Sequence, residues 1–290
     1  MIIEENKNNL GHVRMVQPLI GYVGEHQVTV EIGEYGPEFA ENYLKKIIIN
    51  RPLNKANINK LVKEIEAGRY MLNGDAFRYD RNGNAADGAH TAQAIVETGS
   101  SIPRLVIRGL DPTAFRTIDR GAKRKLSDDL NLEGIDYSRE VAAAARLAYA
   151  LEIRSGQPSH KDMTDSEVFE YFKKNPELAE YAKTHALKDK SLVPPSVVAA
   201  FHYLFAKKDK ELADTFITQL VTGANISIDS GLCILRKVLV DNITAKRKLK
   251  KVYVLAYIIK CWNSARQNLP VKTLKYARRG KNAEQFPQIH

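Results

Sequence analysis

The stretch from Asp75 to Ala94 constrains the fold of this chain more than any other, because its residue order predicts strand, tight turn, strand, glycine and helix. Asn82-Gly83 can supply the two positive φ values that a two-residue hairpin turn of the primed type requires. The second strand is then short and ends at Asp87. We therefore expect a hairpin whose second strand runs directly into a helix.

That helix is predicted from Ala89 to Glu97, since its residues favour a helix and Gly99 can adopt the left-handed conformation that ends one. A helix N-terminus presents free backbone N–H groups and the positive end of the helix dipole, an arrangement that suits phosphate. The polar side chains at this rim are those of Asp87, His90 and Thr91. A simpler interpretation has Asp87 capping the helix and His90 exposed at its first turn.

The segments Asn50-Arg51-Pro52-Leu53 and Asp87-Gly88-Ala89-His90-Thr91 resemble two boxes of the ParB/sulfiredoxin superfamily, whose second box, D-G-x-H-R or G-E-R-R, opens a helix. The resemblance covers roughly residues 37–132, as in the ParB-like proteins common in phages and actinobacteria. It implies an α+β fold with a small mixed β-sheet. It also implies ATP or CTP with Mg²⁺ as a ligand, because the box contacts nucleotide phosphates in that superfamily. The residues that would contact those phosphates are Arg51, Gly88, Ala89, Thr91, Arg120 and Arg124.

Thr91 is a departure from the family pattern. Most members carry arginine after the histidine, and threonine removes a fixed cation from the phosphate site. Arg51, Arg120 and Arg124 are the candidates to replace that cation.

The composition is that of a soluble globular protein, with 290 residues of which 44% are hydrophobic and 27% charged. No run of eighteen apolar residues occurs, and the start of the chain lacks an apolar stretch. We therefore expect no membrane span, no signal peptide and a cytoplasmic location. Cys233 and Cys261 lie in apolar helical patterns without ligand-like neighbours, which predicts reduced core thiols and no metal site.

The net charge of +10 is concentrated at one end of the chain. Residues 242–290 hold 12 Lys and Arg against one Asp or Glu, whereas residues 1–136 carry −1 and residues 137–241 carry 0. This concentration is typical of a surface that binds a polyanion, and DNA is the expected partner. The candidate DNA-binding residues are Lys246, Arg247, Lys248, Lys250, Lys251, Arg278 and Arg279.

A solvated basic tail is the alternative interpretation of the same charges. Four aromatic residues are interleaved with them, and this arrangement favours a binding surface. They are Tyr253, Tyr257, Trp262 and Tyr276.

Strand signals vanish in the second half of the chain, where helical periodicity replaces alternating α and β patterns. We therefore expect an α+β domain over residues 1–136, followed by an all-helical domain over residues 137–290. The last long helix is predicted from Lys246 to Gln267 and opens with the basic cluster. Its Trp262-Asn263 pair and the terminal Phe286-Pro-Gln-Ile289 resemble the close of phage-type ParB-like proteins.

Three functions fit these patterns. The leading hypothesis is a ParB-like DNA-binding protein. The first alternative is an enzyme on the same fold, a nucleotide-dependent phosphotransferase or a metal-assisted nuclease, with Asp87 or His90 as general base. The second is a non-catalytic adaptor or inhibitor from a mobile element. A homo-oligomer is among the assemblies that the sequence allows.

Other chemistries are not indicated. The sequence lacks the G-x-x-x-x-G-K-S/T, G-x-S-x-G, paired C-x-x-C and H-E-x-x-H motifs. His160, His185 and His202 stand alone in the sequence, which predicts surface or core histidines rather than metal ligands.

Overall fold

The computed structural model describes residues 18–48, 52–114, 117–118, 125–153, 163–186, 192–246, 248–278, 280 and 283–290. The chain divides into two compact units, Met1–Ala122 and Lys123–His290. Each unit has a hydrophobic core of its own. The protein is of mixed α and β structure, with five strands and eleven helices in the residues described.

The first unit contains one five-stranded mixed sheet with the strand order β1-β2-β5-β3-β4. The pairs β1–β2, β2–β5 and β3–β4 are antiparallel, and β3 runs parallel to β5. The strands are β1 (Leu19–Val23), β2 (His26–Tyr35), β3 (Ala76–Asp80), β4 (Ala85–Asp87) and β5 (Ile102–Leu110). Because β3 and β5 are parallel, the chain must cross between them, and the helix after β4 makes this crossing.

Three helices belong to this unit: α1 (Pro37–Leu44), α2 (Lys55–Glu66) and α3 (Ala89–Thr98). Asn54 caps α2, since its side chain accepts hydrogen bonds from the first N–H groups of that helix. Helix α3 packs against both α1 and α2. The core that forms between these helices and the sheet is centred on Tyr43, Phe77, Ile95 and Val106, all fully buried.

The β3–β4 hairpin forms as predicted, but the predicted turn type is wrong. Of the two turn residues only Gly83 has a positive φ, +80°. The amide of Gly83 bonds to the carbonyl of Asp80, and the amide of Asp80 bonds to the carbonyl of Asn84, which makes a three-residue turn with a glycine bulge. Asp80 is the reason. Its buried carboxylate accepts from the amides of Asn82 and Asn84 and from the Asn84 side chain, which stabilises this turn instead.

The second unit contains helices and no strand in the residues described. Its helices are α4 (Leu126–Leu132), α5 (Ser138–Glu152), α6 (Asp165–Lys174), α7 (Leu178–Ala186), α8 (Pro195–Ala206), α9 (Lys210–Thr222), α10 (Gly231–Thr244) and α11 (Lys251–Arg266). Helix α8 is apolar on nearly all sides and packs against α5, α7 and α9, so it lies at the centre of this unit.

The prediction that the last long helix begins at Lys246 is wrong, because that helix begins later. Helix α10 ends at Thr244 and α11 begins at Lys251, so the basic cluster lies in the connection between them. Asn242 helps to end α10, because its side chain accepts a hydrogen bond from the amide of Leu249 across this connection. Repulsion between adjacent lysines offers a second reason for the break.

No helix within the described ranges has the length and apolar character to cross a membrane.

Asp80 provides a test of the hairpin. Asp80→Ala removes three hydrogen bonds from a buried turn, and we expect the free energy of unfolding to fall by about 1–3 kcal/mol. Asp80→Asn keeps one side-chain oxygen for the two backbone amides, so its loss should be clearly smaller. Urea unfolding of both variants measures the difference. Equal losses would contradict the role assigned to the backbone amides.

Candidate functional site

The junction between β4 and α3 turns at Gly88, whose φ is +119°. A Cβ at this position would lie 2.7 Å from Cδ1 of Phe77, so only glycine lets the strand enter the helix this directly. No side chain from the residues described caps α3. The interpretation of Asp87 as a capping residue is therefore wrong.

The carboxylate of Asp87 forms an ion pair with the guanidinium of Arg78, its cross-strand neighbour on β3. The two side chains are 27% and 24% exposed, so water screens the pair only in part. The sequence analysis did not consider Arg78, although counting back from the turn already sets it opposite Asp87. A bulge in β4 restores this register despite the longer turn. Arg78 thus supplies a cation beside the start of α3.

The side chain of Tyr43, on α1, links the Arg78–Asp87 pair to the hydrophobic core. Its O–H donates to the backbone carbonyls of both Arg78 and Asp87. Burial raises the pKa of Tyr43 well above its ordinary value, since a phenolate would lose its hydration there. The phenol therefore remains a hydrogen-bond donor at neutral pH.

His90 joins α3 to the start of α2. The backbone N–H of Asn54 donates to Nε2 of His90 at 3.0 Å, so this nitrogen carries a lone pair and the second ring nitrogen holds the proton of the neutral imidazole. Beside this contact, Lys55 pairs with Glu97 at 2.9 Å. His90 is half-buried and hydrogen-bonded, so the interpretation as an ordinary exposed histidine is also wrong.

The other residues predicted to contact phosphate differ in accessibility. Gly88, Ala89 and Thr91 are buried, with Thr91 only 6% exposed. The start of α3 therefore presents mainly the side chains of Asp87 and His90 to solvent. The arginines predicted to compensate for Thr91 lie outside the described residues; they are Arg51, Arg120 and Arg124.

Neither a metal cluster nor a large cavity accompanies this box in the part of the chain described. No group of three His, Cys, Asp or Glu side chains there could hold a metal ion. A cavity of about 190 Å³ beside β4 is lined by Asp80, Asn82, Asn84 and Ala86 among others. This is smaller than the roughly 300 Å³ at which small-molecule sites begin, so it suits water better than a nucleotide.

The predicted DNA-binding lysines lie at the connection between α10 and α11. Lys246, Lys248, Lys250 and Lys251 are all exposed. None of them forms an ion pair with a carboxylate of the described residues. Lys248 instead donates to the carbonyl of Ile243, in the last turn of α10. Arg247 and Arg279 lie outside the described residues, and Arg278 is exposed.

The C-terminal segment, defined here as residues 271–290, folds back along α11. Trp262 donates from its indole N–H to the carbonyl of His290 at 3.2 Å, and the side chain of Asn263 exchanges hydrogen bonds with the backbone of Gln288 and His290. Tyr276 contacts Tyr253, in the first turn of α11, with ring centroids 5.8 Å apart. These contacts bring Tyr276, which lies two residues before Arg278, back beside the helix that follows the basic cluster.

Glu284 is the only carboxylate in residues 242–290, and it is fully engaged. It pairs with Lys260 at 2.6 Å and accepts from the amide of Ala277 at 2.9 Å, while its own amide donates to the Ala277 carbonyl. The hydrogen bond from Lys260 holds the pKa of Glu284 below its ordinary value, with the Ala277 amide adding to the effect. Glu284 therefore closes the loop of residues 277–284.

Two of the four aromatic residues in the basic region are unavailable to a ligand. Trp262 is fully buried and stacks on Phe205 with ring centroids 4.1 Å apart, and Tyr276 is 5% exposed. The aromatic pattern thus reflects how the segment is held to the core. Tyr253 and Tyr257 are half-buried and remain accessible in part.

A buried histidine pair was missed by the sequence analysis. Nε2 of His185 on α7 lies 2.9 Å from Nδ1 of His202 on α8, and Nε2 of His202 lies 2.8 Å from Oδ1 of Asp214 on α9. Lys210 bonds to the other oxygen of Asp214, and the Lys210 and His202 contacts hold the pKa of Asp214 below its ordinary value. His185 is buried and His202 is largely buried, so both are core histidines, but they contact each other, which their separation in sequence did not indicate; His160 lies outside the described residues. No sequence signal reports it, since the three groups sit on separate helices.

Comparison of the chain with protein-family models, with curated proteins and with solved structures gives no match. The likeness to ParB-like proteins therefore rests on the sequence boxes alone. The structure by itself defines an α+β unit followed by a helical unit with a basic C-terminal region.

The Arg78–Asp87 pair can be measured by a double-mutant cycle with alanine at each position. We expect a coupling free energy of about 1–2 kcal/mol, since both groups are largely buried. The exposed pair Lys55–Glu97 serves as the control, and its coupling should be clearly smaller because water screens it. Thermal and urea unfolding supply the free energies. A coupling no larger than that of the control would show that Asp87 is free for another role.

The raised pKa of Tyr43 predicts that the free energy of unfolding depends on pH in the alkaline range. The pKa of Tyr43 is raised in the folded state above the ordinary 10.0. The phenol therefore contributes fully to the free energy of unfolding below pH 10. This contribution is lost as pH rises further, because the phenol of the unfolded chain loses its proton first. Tyr43→Phe should cost about 1–2 kcal/mol at pH 7. Its stability should then approach that of the wild type as pH increases above 10. Urea unfolding at stepped pH would contradict this if the two curves stayed parallel.

Proposed function

We propose that this chain is a ParB-like DNA-binding protein, of the kind that phages and mobile elements carry, and that its basic C-terminal region contacts the DNA phosphates. The observation that carries the proposal is the return of the C-terminal segment along α11. Through the contact of Tyr276 with Tyr253, the chain that leads to the exposed Arg278 lies beside the first turn of α11, which directly follows the exposed lysines.

The charge of that surface is not balanced locally. Glu284, the one carboxylate of the region, is committed to Lys260 and to the Ala277 amide. The exposed lysines between α10 and α11 have no carboxylate partner in the described residues. Exposed cations of this density attract a polyanion and release its condensed counterions on binding.

The rigidity of the region supports binding more than a solvated tail would. A free basic tail has no reason to bury its own aromatic residues, whereas Tyr276 and Phe286 are both buried here and contact each other edge to face. Hydrogen bonds hold the backbone on either side of this pair: Lys260 donates to the carbonyl of Lys275, and Asn263 donates to the carbonyl of Gln288. An ordered surface loses less conformational entropy when it binds a duplex.

The proposal has a second part. The start of α3 is a phosphate or nucleotide site, and Arg78 is its cation. Arg78 would supply the cation that the family arginine supplies elsewhere, since it pairs with Asp87, the residue before the N-cap of α3. For ATP or CTP with Mg²⁺ to bind there, the Arg78–Asp87 pair would have to open.

The enzyme alternative has weaker support. A general base must present an accessible lone pair to its substrate, yet Oδ2 of Asp87 faces the guanidinium of Arg78, and Nε2 of His90 already accepts the amide of Asn54. A non-catalytic adaptor would use the same fold without either ligand.

Salt dependence tests the DNA-binding proposal. If about six phosphates are neutralised, the logarithm of affinity should fall against the logarithm of salt concentration with a slope near −5. Lys246→Glu should weaken binding and reduce the steepness of that slope by about 1–2. The measurement is fluorescence anisotropy of a labelled duplex at several salt concentrations.

The control for this experiment is Lys208→Glu, which makes the same charge change at an exposed position after α8, in the part of the chain with balanced charge. It should leave affinity nearly unchanged. A flat salt response, or equal losses in the two variants, would refute the proposed surface. Repeating the titration with ATP or CTP and Mg²⁺ shows whether a nucleotide changes the affinity for DNA.

A further inference from the structure

Strand β1 is an edge strand whose side chains are all exposed. It pairs with β2 on one side and with no other strand of the described residues. Its four large apolar residues have exposed fractions between 60% and 71%; they are Leu19, Ile20, Tyr22 and Val23. An edge this apolar is unusual, because natural proteins protect open edges with charge, proline or a covering element.

The hairpin turn decides which backbone groups face the open edge. Gly24 and Glu25 form a two-residue turn, with Gly24 at a φ of +62°, and the closing pair is Val23 with His26. Residues that close such a turn exchange hydrogen bonds, and the pattern alternates along the strand. Leu19, Gly21 and Val23 therefore bond to β2, while the N–H and C=O groups of Ile20 and Tyr22 face outward.

Gly21, at the centre of β1, has no internal explanation. A Cβ placed on it would meet no atom within 4 Å, and its φ is not positive. A glycine inside a strand weakens that strand, and one common reason for it is the close approach of another backbone. No atom of the described residues lies within 4 Å of that Cβ position, so the space at Gly21 is open to such an approach.

We propose that β1 pairs with β1 of a second copy of this chain, antiparallel and centred on Gly21, so that two five-stranded sheets become one continuous sheet. In this register Ile20 lies opposite Tyr22 of the partner subunit, and the two exchange main-chain hydrogen bonds. The two Gly21 residues then form the non-hydrogen-bonded pair, where Cα atoms come closest, at about 4.5 Å, and a missing Cβ removes crowding.

A second copy fits this edge better than an unrelated partner. From Pro18 to Gly24 the chain carries no charged side chain, so two antiparallel copies bring no like charges together. The pattern is also nearly symmetric about Gly21. On one face of the sheet, Ile20 lies opposite the ring of Tyr22 of the partner subunit. On the other face, Leu19 lies opposite Val23 of the partner subunit. A two-fold interface requires this self-complementarity.

Sedimentation equilibrium of the full chain, from low to high micromolar concentration, tests the proposal. The wild type should form a dimer. Tyr22→Lys places a charge in the interface, and Ile20→Pro removes an outward N–H without breaking a bond to β2. Each should weaken dimerisation by about tenfold or more. Ile228→Lys is the control, because Ile228 is 85% exposed in the second unit, and it should leave the dimer intact. Circular dichroism verifies that the variants fold.

The register has its own test in a Cys233→Ser background. Gly21→Cys should form an intersubunit disulfide on mild oxidation, because the two sites lie directly opposite, whereas Tyr22→Cys should not, since it lies opposite Ile20 of the partner subunit. A wild-type monomer at every concentration overturns the proposal, as does a dimer that survives both edge variants. A chain that dimerises only after removal of residues 1–17 also overturns it, because the edge is then occupied by its own N-terminal segment.

Discussion

The helical unit depends most on the contacts of one buried side chain, the indole of Trp262. It stacks on Phe205 of α8 at 3° between ring planes, meets Phe216 of α9 edge to face, and bonds through its N–H to the carbonyl of His290. One side chain thus joins α8, α9, α11 and the C-terminal segment. The end of the C-terminal segment lies along α11 because Trp262 and its neighbour Asn263 form hydrogen bonds with the backbone of Gln288 and His290.

In the α+β unit, a few residues at the junction between β4 and α3 make several of the contacts that hold the unit together. Gly88 leaves room for the ring of Phe77, and Tyr43 reaches from α1 to the backbone of Arg78 and Asp87. The polar box is therefore built into the core that supports it. Its ion pair and its histidine both serve contacts within the chain, and a ligand would have to compete with those contacts.

Much of the local structure could be predicted from sequence, because the signals are local. The glycine that ends α3 and the turn residues that place the β3–β4 hairpin each act within a few residues. Where prediction was wrong, a side chain outside the local pattern decided the outcome. The carboxylate of Asp80 changed the turn type, and the Asn242 contact with Leu249 is part of the break that separates α10 from α11.

The sequence by itself determined the division into an α+β part and a helical part, the strand-to-helix box and the concentration of positive charge in residues 242–290. Only the tertiary structure decided which residues meet. It paired Arg78 with Asp87, brought His185 to His202 and Asp214, and buried Trp262 and Tyr276 instead of leaving them to a ligand. The physical reason is that hydrogen bonds and packing join groups distant in sequence, whereas periodicity, caps and charge density are properties of neighbours.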